Sequence, residues 1–288
     1  LIFLTLIYYF FMDMRANFVL YLCLFCPLFL LYHVAELEIL VRKEILLFIN
    51  FLFFLNLSLN INLKKYLKVY LFISIPILLL IWEPTIFFLP FYIFILINSI
   101  NYKNYRSLIF SILYIFSSSL IVIFFLLINQ YDLENEKLMC SNLKELFNEN
   151  CYMSLLYLDT SIKENFDSLL SDIKIQHIFR YSLIYLVGFF PIIYLARNLK
   201  KKIIFKIKIF NNISLFFYMV ISSIFVPILY AMGLDWGRWV NIHYFFIFFS
   251  IYFLIKKGNY TLNNQLSERF KKIFNIKKKS ILLFLFIL

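Results

Sequence analysis

The sequence predicts an all-α, polytopic transmembrane helical bundle of about eight full spans with a partial span at each end. Of its 288 residues 63% are hydrophobic and only 15% charged, whereas soluble domains are roughly 45–50% apolar and about 25% charged. Apolar runs of the ~17–25 residues needed to cross ~30 Å of hydrocarbon recur with polar punctuation between them. The runs are apolar all round, not alternating, which excludes barrel strands and leaves helices as the spanning form.

Taken in order, residues 1–12 are a partial span and 17–35 the first full one. Within the latter, Cys23-x-x-Cys26 precedes Pro27 and reads as two small buried hydrophobes, not a redox pair. A charged connection holding His33, Glu36, Glu38, Arg42, Lys43 and Glu44 leads to a span at 45–61, and another follows at 67–83. That one ends at Trp82-Glu83-Pro84, where the proline opens the run 85–100. After 108–129 comes the one sizeable polar segment, 130–178, with nine acids, four lysines and a helical stripe from Leu155 to Ile173. Short amphipathic helices are expected there. Spans at 179–196, 213–232 and 239–255 follow, then a basic stretch 256–280 and a last apolar piece, 281–288. The stretch 256–280 reads as an ordinary loop or as a segment lying along an anionic leaflet. The chain thus divides into an N-terminal helical group (1–129), an extracytoplasmic loop (130–178) and a C-terminal helical group with basic cytoplasmic loops (179–288). Beginning at Leu1 and ending in an apolar run, it reads as a fragment of a longer protein, and no secretory signal is visible.

The formal net charge of +12 would suggest nucleic acid in a soluble protein. Sorted onto alternate loops, it becomes 20 Lys/Arg against two acids on one side and eight against fourteen on the other. By the positive-inside rule the first set is cytoplasmic, so the charge reports topology and no nucleic-acid partner is expected. This places the chain as a multi-pass membrane protein, with membrane lipids around it. Cys140 and Cys151 then fall in the outer loop, where an oxidising compartment favours a disulfide over two free thiols.

Candidate chemistry lies at span ends. Lysine outnumbers arginine 21 to 7, so each arginine raises the question of what its planar fork does that an ammonium would not. The strongest local pattern is Asp235-Trp236-Gly237-Arg238-Trp239, whose i, i+3 spacing puts carboxylate and guanidinium on one helical face. Arg238 suits an anionic group, Asp235 a base or a support for the guanidinium, and Trp236 a platform for a sugar ring. The same residues also fit a turn with interfacial tryptophan anchors. Glu83, beside Trp82, has no basic neighbour in sequence and needs a distant partner such as Arg42, Arg180 or Arg238. Arg42 and Glu44 are the best candidates of their cluster, while His177 with Arg180, and His243 one turn past the tryptophans, complete the set. No His/Cys/Asp/Glu spacing suits a metal, and no Walker A loop, G-x-S-x-G elbow or nicotinamide fingerprint occurs, so neither metal nor cofactor is expected.

The Arg42-Lys43-Glu44 turn, the Glu83-Pro84 break followed by an apolar run with Pro90, and Asp235-x-Gly-Arg238 before a late span together carry a family likeness. On these three stretches and the overall layout the chain resembles bacterial membrane proteins of surface-polysaccharide assembly. These are the O-antigen polymerase type, including EpsG-like polymerases, and more remotely the lipid-linked glycosyltransferases. The resemblance implies transfer or polymerisation of lipid-linked sugar units on an undecaprenyl-type carrier at the outer face of the inner membrane. Glu83 and Asp235 would be catalytic, with Arg42, Glu44, Trp82, Arg180, Trp236, Arg238 and His243 binding substrate. The alternative is a transporter or flippase that moves a lipid-linked glycan or other amphiphile without chemistry.

Overall fold

The computed structural model describes residues 43–100, 102–128, 133–148, 173–232 and 236–262, together with residues 2, 5–7, 23, 26, 28, 167, 170 and 171. Four helical segments in it are long and apolar enough to cross a membrane: Glu83–Ile100, Tyr105–Phe125, Ile175–Asn198 and Trp236–Lys256. They mark a membrane protein, and they coincide with the expected runs 85–100, 108–129, 179–196 and 239–255. The runs 45–61 and 67–83 form shorter helices, α1 (Glu44–Leu59) and α2 (Leu67–Ile81). The expected spans 1–12, 17–35 and 281–288 lie largely or wholly outside the described residues, as do Arg42, Cys151 and Asp235.

From α2 the chain passes through a 3-10 turn, Glu83–Phe88, into α3 (Leu89–Ile100), then α4 (Tyr105–Ile128) and the polar α5 (Leu133–Phe147). Cys140, on α5, is disulfide-bonded, and Cys23 and Cys26 are free. The long α6 (Ile175–Asn198) runs back and enters β1 (Leu199–Lys201). After one short turn, α7 (Ile209–Asn212), come α8 (Leu215–Ser222), α9 (Val226–Met232), α10 (Trp236–Lys256) and β2 (Tyr260–Leu262). The strands pair antiparallel, Lys201 opposite Tyr260, and form a small ribbon that the all-helical expectation did not include.

The run 213–232, expected as one span, is corrected by the structure to the two short helices α8 and α9. Pro227 has no N–H to give to Ser223, so the chain turns over Ser223–Phe225 and Val226 N donates to Ser223 O instead, at 3.0 Å. Ser223 N and Ile224 N also find carbonyls of the preceding turn. Non-helical backbone deep in a membrane protein persists where such groups are satisfied internally.

Helix α10 is the axis of the bundle. Its 18-residue apolar window is 89% buried, against 22% for α4 and 17% for α6. A helix hydrophobic all round belongs in a core, and Phe245 and Phe246 of α10 meet Phe48 and Phe51 of α1 at ring-centroid distances of 4.1 and 4.3 Å. In lipid such dispersion contacts hold helices together, because the hydrophobic effect offers little once both faces are in hydrocarbon. On α4 and α6, Phe110, Ile121, Phe124, Phe179, Leu186 and Phe190 remain exposed, the faces that hydrocarbon would cover.

One proline inside a helix, Pro76, is compensated. Pro76 of α2 leaves the Phe72 carbonyl without its helical donor, and Ser118 Oγ of α4 donates to that oxygen at 2.7 Å. Gly188 of α6 is where the Leu28 side chain comes close: a Cβ there would meet it, and that side chain would have to shift.

Candidate functional site

The N-termini of α1 and α10, the break between α2 and α3, and the start of α6 gather at one end of the bundle, the acid-bearing end. Glu44 opens α1, where a carboxylate suits the helix dipole. Arg238 Nη1 donates to Glu44 Oε1 at 2.9 Å, across 194 residues of sequence. The Glu44 side chain is 2% exposed and that of Arg238 21%, so the carboxylate is sealed in while the arginine is partly exposed. Arg238 also lies over the Trp239 ring at 6.0 Å. Trp239 in turn stacks on Trp82 at 5.7 Å, which joins the α2–α3 break to α10. Glu83, next to Trp82, is exposed.

Around the ion pair, three buried polar atoms have no hydrogen-bond partner: Glu44 Oε2, Trp239 Nε1 and Thr85 Oγ1. An acceptor, a donor and a hydroxyl left over beside stacked indoles match what a polyhydroxylated ligand or ordered water offers. Trp236 differs, since its Nε1 donates to Tyr230 O at 2.9 Å. Its ring meets Tyr181 edge-on at 5.2 Å, and Arg180, exposed, lies over that tyrosine.

His243 is not part of this recess. One helical turn below Trp239, it belongs to a polar chain between α6, α8, α9 and α10. Ser223 Oγ donates to Met219 O at 2.7 Å, so it accepts from His243 Nε2–H at 2.7 Å. In the neutral tautomer with the proton on Nε2, Nδ1 accepts from the Tyr185 hydroxyl at 3.1 Å. Tyr185, its own proton committed, accepts from Tyr230. Each group finds one direction, and the chain runs from the tryptophan layer to the α8–α9 break.

Six sequence-predicted residues thus share the acid-bearing end: Glu44, Trp82, Glu83, Arg180, Trp236 and Arg238. Arg42 and Asp235 lie outside the described residues. Sequence reasoning missed Thr85, Tyr181, Tyr185, Ser223 and Tyr230. The i, i+4 pairs Tyr181/Tyr185 and Trp239/His243 were a readable signal of one polar stripe per helix; Ser223 gave none. Among the described residues no group of His, Cys, Asp and Glu is arranged to hold a metal. Compared with known protein families, curated proteins and solved structures, the chain matches none.

Proposed function

We propose that the protein is an integral membrane component of surface-polysaccharide assembly in a bacterial inner membrane, acting on lipid-linked sugar units at its acid-bearing end, which faces outward. The full protein crosses the membrane about eight times in this reading. The observation that carries it is convergence: the Glu44, Trp82-Glu83 and Arg238 motifs, remote in sequence, meet around one ion pair.

The chemistry is glycosyl transfer. The acceptor hydroxyl oxygen attacks the anomeric carbon of the donor sugar, its proton passing to the exposed Glu83 carboxylate. The bond from that carbon to the carrier pyrophosphate breaks, and the pyrophosphate leaves with the electron pair, held by the partly exposed Arg238 and by Arg180. Asp235 is the second carboxylate of this scheme.

The test is Glu83→Gln and Asp235→Asn in membrane vesicles supplied with undecaprenyl-type lipid-linked sugar units. Glycan length, read on gels, should collapse by about a hundredfold or more in rate while both variants insert normally; normal polymer from both would end the proposal. The transporter reading is favoured by one feature, the broken α8–α9 helix beside His243, a geometry that transporters use at mid-membrane sites. Wild-type protein that moves the lipid-linked sugar across liposomes without lengthening any glycan would establish that reading in its place.

A further inference from the structure

The opposite, basic end holds a cavity of about 310 Å³ between the end of α6, the β1–β2 ribbon and the start of α8. Arg197, Lys201, Ser214, Leu215, Phe216 and Tyr260 line it. Between Arg197 and Met232 the sequence has five lysines and no acid, and the described acids Glu44, Glu83, Glu134, Glu136, Glu145 and Asp167 all belong to other segments.

Four features of the lining point the same way. Lys201 is anchored by donating to the Phe210 carbonyl and to Asn211 O at 3.3 Å. Those neutral acceptors, with the Phe205 and Tyr218 rings at 4.8 and 5.8 Å, fix the ammonium without cancelling its charge. Arg197, exposed, lies over the Phe216 ring at 5.2 Å, where its fork stays open to a second ligand. The first turn of α8, Leu215 and Phe216, brings backbone N–H groups and the positive end of a helix dipole to the wall. Finally, Tyr260 is 2% exposed, yet its hydroxyl has no hydrogen-bond partner. As the ribbon partner of Lys201 it shares that residue's face of the sheet, and burial raises it to about 12, so it remains a donor. Two cations, a helix N-terminus and an orphan hydroxyl, with no carboxylate among the described residues of the lining, form a donor set that lacks its acceptor.

We propose that this cavity is a phosphate-binding site, taking either the headgroup of an anionic phospholipid or a soluble phosphate. It is independent of the glycan chemistry assigned to the other end. Burial lowers the proton affinity of Lys201, and a bound phosphate anion would raise it again, so the ammonium's share of the binding should weaken as pH rises.

The experiment uses the full chain in nanodiscs of phosphatidylcholine, with thermal unfolding as the readout. One arm titrates inorganic phosphate at constant ionic strength; the other replaces about a fifth of the lipid with phosphatidylglycerol. Saturable stabilisation by phosphate assigns a soluble ligand, and stabilisation by phosphatidylglycerol alone assigns a headgroup; either supports the site. Arg197→Gln should weaken the response about tenfold and Tyr260→Phe about threefold. Tyr260→Phe removes a hydroxyl that bonds nothing, so it should fold as wild type does. The proposal fails if neither probe stabilises the wild type, or if both variants respond as the wild type does.

Discussion

At the acid-bearing end of the bundle the charge is matched: the Glu44 carboxylate and the Arg238 guanidinium bond at 2.9 Å behind stacked tryptophans. At the basic end Arg197, Lys201 and Lys257 meet carbonyl oxygens and ring faces. Lys257 Nζ donates to Asn98 O at 2.6 Å and lies over Phe253 at 5.4 Å. Such neighbours replace part of a cation's hydration but do not neutralise it. The two ends therefore respond in opposite ways to the loss of a cation: one exposes a buried opposite charge, the other is relieved of an uncompensated one.

The largest effect expected from breaking this contrast is at Arg238. Arg238→Met leaves the sealed Glu44 carboxylate without its partner, at a cost of about 3–5 kcal/mol. Glu44→Gln in the same chain should recover much of the loss. Folded fraction after detergent extraction, by size-exclusion chromatography, checks both; an equally stable single variant would mean that the pair contributes nothing.

At the basic end Lys257→Met should act the other way. Burial, and then nearby Lys64, lowers Lys257 to about 7, while an unfolded lysine titrates near ~10.4. Between those values the unfolded chain binds more protons, so stability rises with pH across that window and is lowest below pH 7. The substitution should raise the unfolding temperature near pH 7, by on the order of 2–3 kcal/mol of stability, and flatten the wild-type rise with pH. A rise of equal slope in both proteins would remove Lys257 as its source.

A smaller effect is expected between the two ends. Ser118→Ala deprives the Phe72 carbonyl of the hydroxyl that replaces the donor lost at Pro76 and should cost about 1–2 kcal/mol. In a Pro76→Ala background, where the helical N–H returns, the same change should cost almost nothing; a double-mutant cycle in thermal unfolding reads the difference.

The finest comparison sets two aromatic polar groups against each other. Trp236→Phe loses the bond to Tyr230 O and should cost about 1 kcal/mol in addition to its packing loss, whereas Tyr260→Phe, which removes a hydroxyl without a partner, should be neutral within about 0.5 kcal/mol. Unfolding temperatures of the two variants in one detergent, without added phosphate, decide it. A destabilised Tyr260→Phe would give that hydroxyl a structural role and erase the distinction.

Much of this molecule could be read before its structure. The runs at 108–129 and 239–255 agree with α4 and α10 to within a few residues, because a long apolar stretch has one stable way to cross hydrocarbon. The run 213–232 misled, since hydropathy averages over Ser223–Phe225 and does not register that Pro227 interrupts the ladder; the proline itself was the legible warning. Of the candidate site, the tryptophans, Glu83 and Arg238 were visible as an unusual polar composition at span ends. Thr85, Ser223 and Tyr230 were not, because a small hydroxyl or a tyrosine in an apolar run looks the same whether or not its partner exists.

The sequence by itself determined the helical membrane class, since the free energy of entering hydrocarbon is a sum over a contiguous run. It also determined that acids and lysines gather in different polar stretches of the chain, a property of local composition. Only the tertiary structure decided that Glu44 meets Arg238, that His243 faces Tyr185 and Ser223, and that Lys201 and Tyr260 share one cavity. Those are meetings between helices far apart in the chain, set by how their side chains pack, and no local run of residues encodes them.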